Sequence, residues 1–298
     1  MSLPEVNISF LKKIEKTLRD KKIPSSAVEA ERLVLHFMRS SRVDFFTGEK
    51  TISEAQKKKV EKALKDRLSG IPLAYLTGVA GFWGMDFQVN HHTLIPRPET
   101  ELLVEETLKR LQIPVSAGMT APKILEMGAG SGCVAVSLTM QRPDCRMTAL
   151  DVSLEALKIA RKNARFHGVE KRISFFQSDL FSVFTFGKRA FWDVIVSNPP
   201  YIPTSDYNHL PREVRREPRL ALDGGRGGLR IIESILEKAP YYLKEGGFLL
   251  MEIGKGQARA VRKKAAATGF YRDMEFVKDY AGIDRIFVAR NKAGQWIN

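Results

Sequence analysis

The sequence predicts an α/β protein: a mostly parallel sheet, closed at one edge by an antiparallel hairpin, preceded by a small helical bundle. Three observations predict it. From about residue 99, the apolar segments KILEMG, MTALDV, ISFFQSDL, WDVIVSNPP and FLLMEIG are separated mostly by helical stretches such as LEALKIARKNARFHG and LRIIESILEKA. Near-continuous apolar strands between helices indicate a parallel sheet covered on both faces. Residues 1–75 instead carry apolar side chains at helical spacing. The tail MEFVKDYAGIDRIFVAR reads as two strands joined by a short turn at Gly282.

The elements follow in order. Phe10, Ile14 and Leu18 recur every four residues and predict a helix that Ile23-Pro24 ends. Ser26 with Glu29 fits a capping box opening a second helix, which carries Val28, Val34, Leu35 and Met38. Ser53 with Gln56 fits another, continuing through Val60, Leu64 and Leu68 to a stop at Gly70 and Pro72. Helices of this length persist by packing on one another, so residues 1–75 are expected to form a bundle. Lys57-Lys58-Lys59 reads as its solvated face. Residues 76–98 read as a connector in which GFWGMDFQV forms a hairpin around Gly84, followed by HHTLIPRPET. A helix with Leu102, Leu103 and Leu108 then opens the α/β region, 99–298.

Composition narrows the function classes. A chain of 298 residues with 44% hydrophobic and 9% aromatic content has the material for a packed core, which excludes wholesale disorder. Two cysteines, Cys133 and Cys145, make no disulfide framework and suggest a reducing compartment. The start MSLPEVNISFLKKIEKTL has no apolar run of signal-peptide type, and no stretch approaches a membrane span, so a cytoplasmic protein is expected. The formal net charge of +14 is compatible with nucleic acid, ribosomes or an acidic protein partner.

Two motifs carry chemistry. The strand KILEMG runs into Gly128-Ala129-Gly130-Ser131-Gly132, and the helix CVAVSLTMQR follows. Glycines at this turn let a cofactor approach the backbone, while the helix N-terminus presents free N–H groups. Asp151, closing the next strand, can accept from both hydroxyls of a ribose. Glu126 can attract a cationic amino group, and Asp179 can accept from an adenine amine. The G-x-G-x-G spacing is not the dinucleotide fingerprint, which argues against a nicotinamide oxidoreductase. The second motif is Asn198-Pro199-Pro200-Tyr201, directly after WDVIVS. Two prolines remove two backbone donors, so local carbonyls are left to accept. The Asn198 side-chain oxygen and the Pro199 carbonyl could hold both hydrogens of a planar NH2 group, with Tyr201 offering a flat face for stacking. Such a conjugated amine is a poor nucleophile that acts once positioned, without a strong base.

Other conspicuous residues read as structural. His91-His92 has no partner at metal-ligand spacing, and no metal is expected. Neither cysteine has a Cys–His context, so both read as small apolar residues. Gly224 to Gly228 resembles a phosphate loop only in composition and reads as a mobile flap beside the site. Arg212, Arg215, Arg216 and Arg219 are either solvated or face an anionic partner.

Together ILEMGAGSG, ALDVS and NPPY resemble the class I S-adenosylmethionine-dependent methyltransferases, which implies a Rossmann-like sheet. LIPRPETE (94–101), NPPYIP (198–203), EPRLALDGGRGGL (217–229), GGFLLMEIGKGQ (246–257) and DYAGIDR (279–285) extend the resemblance to the release factor glutamine methyltransferases. Those enzymes methylate the side-chain amide of the Gly-Gly-Gln glutamine in class 1 peptide chain release factors. The resemblance implies S-adenosylmethionine as methyl donor, Gly128 through Gly132 along its methionine end, Asp151 on the ribose and Asp179-Leu180 beside adenine. It places Asn198 through Tyr201 on the glutamine amide, and Arg97 near the substrate. It further implies a substrate-docking role for residues 1–75, with nucleic acid not required. Ala129 stands where the family often has threonine, and Leu180 where an aromatic can occur. The rivals are a DNA adenine or rRNA amino methyltransferase, which share NPPY, and a noncatalytic RNA- or ribosome-binding protein on the same scaffold.

Overall fold

The computed structural model describes residues 3–112, 121–184 and 191–292. The chain divides into two compact units, one of Met1–Val79 with Pro211–Arg216, the other of Ala80–Leu210 with Glu217–Asn298.

In the first unit, α1 (Leu3–Asp20), α2 (Ser26–Met38), α3 (Arg42–Thr47) and α4 (Glu54–Leu68) gather around Ile14, Leu18, Val34, Phe45 and Val60, and α5 (Leu73–Thr77) lies against α2 and α4. The predicted capping box at Ser53 and Gln56 forms in full at the start of α4. The one expected at Ser26 and Glu29 does not. Ser25 is the N-cap, in a left-handed conformation with φ 54°, and no side chain caps α2. Glu29 is drawn instead to Arg67, whose Nε and Nη2 donate to Oε2 and Oε1 at 2.7 and 2.9 Å. Two parallel hydrogen bonds from a charged guanidinium outweigh the single bond a backbone amide could give the carboxylate. Arg67 also reaches Glu213 at 2.9 Å.

The second unit opens with a hairpin of β1 (Val79–Phe82) and β2 (Met85–Gln88). Trp83 and Gly84 both take positive φ (54° and 69°), the turn geometry that matches strand twist in two-residue hairpins. Helix α6 (Pro98–Arg110) follows, then β3 (Lys123–Met127), α7 (Cys133–Gln141), β4 (Arg146–Asp151), α8 (Leu154–Phe166), β5 (Ile173–Gln177), β6 (Trp192–Ser197), α9 (Arg230–Lys238), β7 (Leu243–Glu252), α10 (Ala258–Thr268), β8 (Tyr271–Lys278) and β9 (Asp284–Asn291). The seven-stranded sheet has the order β5-β4-β3-β6-β7-β9-β8. Strands β3 to β7 pair in parallel, and β9 pairs antiparallel with both β7 and β8. Alternate residues of each strand enter opposite cores. Ile124, Val194, Val196 and Leu250 pack with Leu103, Leu138 and Leu157 of α6, α7 and α8. Leu125, Ile195 and Leu249 pack with Ile232, Ile235 and Val261 of α9 and α10. Phe82 and Phe87 of the hairpin belong to the first of these cores.

Candidate active site

The order of strand addition reverses between β3 and β6: β4 and β5 lie to one side of β3, and β6 and β7 to the other. Ligands of open α/β sheets bind at such a switch point, beyond the carboxyl ends of the strands. Both chemical motifs meet there. Met127 pairs with Ser197 in the sheet register, so Gly128 and Asn198 emerge side by side. Ser197 Oγ donates to the Met127 carbonyl at 2.8 Å and ties the two strand ends together.

The glycine turn is held from below. The amides of Gly128 and Ala129 both donate to the Leu150 carbonyl at 2.9 Å. Asn163 Nδ2, fully buried, donates to the Ser131 carbonyl at 2.8 Å and to the Gln88 carbonyl at 2.9 Å. Gly132 starts α7 with φ 80°, and a Cβ there would lie 3.0 Å from Ala160 Cβ on α8. Its role is close helix packing, and it is absent from the cavity wall. Asp151 receives the amides of Gly130 on Oδ2 and Ser153 on Oδ1, each at 2.8 Å. Burial raises its pKa, and those amides oppose the shift. Each oxygen keeps acceptor capacity beyond its amide.

A cavity of about 380 Å³ runs from this turn to the end of β6. Its wall brings together Glu126, Gly128 to Ser131, Asp151, Asp179, Leu180, Arg97 and Asn198 to Pro200. Glu126 is buried, and its Oε2 has no hydrogen-bond partner among the described residues. Burial first, and the Asp151 charge as a lesser cause, push its carboxyl well above the usual carboxylate range, against the amide of Ala135. A buried unpaired carboxyl oxygen beside a cavity is a place for a cationic donor. Leu180 takes a positive φ of 50°, and its carbonyl accepts from Ser178 Oγ at 2.8 Å.

Asn198 Nδ2 donates to Thr100 Oγ1 at 3.0 Å, and Thr100 Oγ1 donates to Glu252 Oε2 at 2.7 Å. Tyr201 is not part of the wall. Its ring packs against the second core, and its hydroxyl donates to Glu252 Oε1 at 3.1 Å. Burial and the Glu252 charge raise the Tyr201 pKa. The stacking face expected from sequence is thus turned inward, because the buried carboxylate claims the hydroxyl. Arg97 pairs with buried Glu217, whose other oxygen accepts from the Ile95 amide at 3.0 Å. That pair ties the two segments LIPRPETE and EPRLAL together.

The glycine-rich segment 224–228 is no open flap. A Cβ on Gly228 would lie 1.9 Å from the Tyr201 carbonyl oxygen, and one on Gly224 2.5 Å from that of Pro200. Gln257 Nε2 donates to the carbonyls of Tyr201 at 2.9 Å and Gly227 at 3.1 Å. Asp223 accepts from Thr204 Oγ1 at 2.6 Å and the Gly225 amide at 3.0 Å, and these bonds draw its carboxyl down to about 2. The glycines let one backbone lie directly on another, so the segment clamps the NPPY corner. Arg219 is paired too, with Asp223 at 2.9 Å and over the Tyr207 ring at 4.8 Å. His91 and His92 line the cavity, with ring centroids 3.9 Å apart. Cys133 is buried, and burial pushes its thiol up to about 12. No group of metal-ligating side chains gathers among the described residues.

Sequence reasoning missed Thr100, Glu252, Glu217 and Gln257, although each falls within a segment that carries the family resemblance. One signal was available: Glu252 is an acid within the apolar run FLLMEIG.

A family profile described as PrmC N-terminal domain matches residues 9–78, and one described as Methyltransferase small domain matches residues 99–213. The release factor glutamine methyltransferase of Chlorobaculum tepidum is 37% identical over 95% of this chain and 98% of its own length. That of Neisseria gonorrhoeae is 39% identical over 88% of this chain and 93% of its own. Among solved structures, a methyltransferase from Pyrococcus furiosus shares the fold with a TM-score of 0.50 at 16% identity, covering 80% of this chain and all of that one.

Proposed function

The chain belongs to the release factor glutamine methyltransferase family, and from that premise we propose its reaction and the residues that perform it. It moves a methyl group from S-adenosylmethionine to the side-chain amide nitrogen of the Gly-Gly-Gln glutamine in class 1 release factors. The observation that carries this reading is the donor direction at Asn198. Its nitrogen is engaged by Thr100, which leaves Oδ1 as the group offered to a substrate NH2.

The cofactor supplies an electrophilic methyl on sulfur. The residues present fit it: the unpaired Glu126 oxygen suits the methionine ammonium, and Asp151 has acceptor capacity left for ribose hydroxyls. Asp179 and Leu180 line the same cavity and are assigned the adenine end in this reading. Asn198 Oδ1 and the Pro199 carbonyl accept the two amide hydrogens, turning the nitrogen lone pair toward the methyl. Among the described residues no hydrogen bond reaches the Pro199 carbonyl oxygen. With the methyl donor bound, the nitrogen would gain its C–N bond as the donor's S–C bond broke, and only then would its proton become acidic enough to leave without a strong base. Arg97, tied to Glu217, shapes the entrance and holds LIPRPETE in place. Pro200 fixes the corner, and Tyr201 anchors it through Glu252.

The helical region 1–75 is the docking surface for the intact release factor in this reading, residues 76–98 the connector and 99–298 the catalytic domain. A cytoplasmic enzyme acting on translation factors is consistent with the absence, among the described helices, of one long and apolar enough to cross a membrane. Nucleic acid is not required. Labelled-methyl transfer into purified release factor, rRNA and DNA, run side by side, tests the assignment. Transfer to rRNA or DNA but not to the release factor contradicts it and favours the nucleic-acid amino methyltransferase that the +14 charge allows.

A further inference from the structure

An asparagine amide has no intrinsic preference for which end faces a substrate, because rotation by half a turn exchanges its oxygen and nitrogen. Methyl acceptance at Asn198 requires the oxygen to face the NH2 group. A nitrogen there would set donor against donor and misalign the lone pair. Something behind Asn198 has to choose.

Thr100 lies in the first turn of α6, and Glu252 ends β7. Both are buried, at 2% and 1% exposure; Thr100 borders the cavity, while Glu252 lies behind it. Glu252 accepts the hydroxyl of Thr100 on Oε2 and that of Tyr201 on Oε1. Both hydroxyls donate to it, the arrangement that suits a carboxylate acting only as acceptor. The Thr100 hydrogen is then committed, and its oxygen can offer Asn198 nothing but a lone pair. Only the NH2 end of Asn198 can use that lone pair. To reverse the amide, Thr100 would have to withdraw its hydrogen from Glu252 and leave a buried carboxyl oxygen without its donor, which low-dielectric surroundings penalise.

We infer that Thr100 and Glu252 are positioning residues that lock the Asn198 side chain with its oxygen toward the methyl-accepting amide. This rests on the proposed role of Asn198. Tyr201 completes the lock by saturating the second oxygen of Glu252. Burial raises the Glu252 pKa, and the two hydroxyls and the charge of Arg285 oppose that rise.

The test is a cycle between Thr100→Val and Asn198→Ala in the full-length enzyme, with intact release factor as substrate. Valine preserves volume and removes the hydroxyl. Thr100→Val is expected to lower kcat by about 10–100-fold while KM and cofactor Kd stay within about threefold, the pattern of a contact that matters in the transition state. Thr100→Ser restores the hydroxyl and is expected to return kcat to within about threefold of the parent. In the Asn198→Ala background, Thr100→Val is expected to add less than about twofold, because the group it orients is gone. If valine prevents folding, Thr100→Ala carries the same cycle. A full loss repeated in the Asn198→Ala background, a silent Thr100→Val beside an impaired Asn198→Ala, or a serine variant as slow as valine overturns the inference alone. A fully active Asn198→Ala overturns the Asn198 reading itself, and the inference with it.

Discussion

Asn198 and Thr100, 98 residues apart in the chain, share a 3.0 Å hydrogen bond in which the asparagine nitrogen is the donor. The bond spans two motifs that look independent in sequence, NPPY after β6 and PRPETE at the start of α6. It makes the second a support for the first. A helix that reads as an ordinary Pro-led start also carries the group that aims the side chain at the reacting centre.

Asn198→Ala is expected to leave cofactor Kd nearly unchanged and to lower turnover by about 10²–10³, the cost of one preorganised polar contact at a reacting centre. Steady-state kinetics with release factor and titration calorimetry with cofactor separate the two quantities. Near-normal turnover would reduce NPPY to a turn.

Asp151→Ala is expected to weaken S-adenosylmethionine binding by roughly 1.5–3 kcal/mol through lost charge-assisted hydrogen bonds. The same variant frees the amides of Gly130 and Ser153, so its melting temperature should also fall. An unchanged dissociation constant in the folded variant removes Asp151 from the site.

The raised pKa of Glu126 makes cofactor binding pH-dependent in a defined direction. The free protein holds this carboxyl protonated to higher pH than usual, and an incoming ammonium favours the ionised form. Binding therefore releases protons, and affinity rises with pH up to the raised pKa. Calorimetry in buffers of different ionisation enthalpy measures the release, and Glu126→Gln should abolish it. Release undiminished in that variant assigns the proton elsewhere.

Gly228→Ala would force a Cβ to 1.9 Å from the Tyr201 carbonyl at a φ of 70°. Backbone cannot yield as a flexible side chain does, so a loss of about 2–4 kcal/mol is expected in urea unfolding. A variant as stable as the parent means that the clamp is loose.

Arg67→Ala strands Glu29 behind a pair that is nearly buried, and a loss of about 3–5 kcal/mol is expected for the first unit. Methyl transfer to a short glutamine peptide by the folded fraction should change far less than stability.

Much of this architecture was legible in the sequence because its signals are local. Apolar strands at 123–127, 146–151 and 192–197 announce themselves by composition, and the Ser53–Gln56 box by a spacing of three. Helices α3 and α5 went unread because six and five residues are too few to display a period, although Ser41 does cap α3 through the Asp44 amide. The Ser26–Glu29 box was misread because the partner that captures Glu29 lies 38 residues away. The same limit hid the support of the site. Thr100 and Glu252 are separated by 152 residues, and Arg97 and Glu217 by 120. Gly224 to Gly228 looked free because glycine composition is the same for a hinge and for a close approach.

The central claim is that Asn198 and Pro199 present acceptors to a glutamine amide. It is tested most directly by tandem mass spectrometry of a class 1 release factor after reaction with the purified enzyme and S-adenosylmethionine. One added methyl on the Gly-Gly-Gln glutamine is predicted. Glutamate at that position should abolish transfer, since it brings a carboxylate to two acceptor oxygens. Asparagine should fail as well, because a side chain one methylene shorter misses a near-attack distance of about 3–3.5 Å. Methyl found on another residue, or transfer undiminished with glutamate in place of the glutamine, would contradict the account.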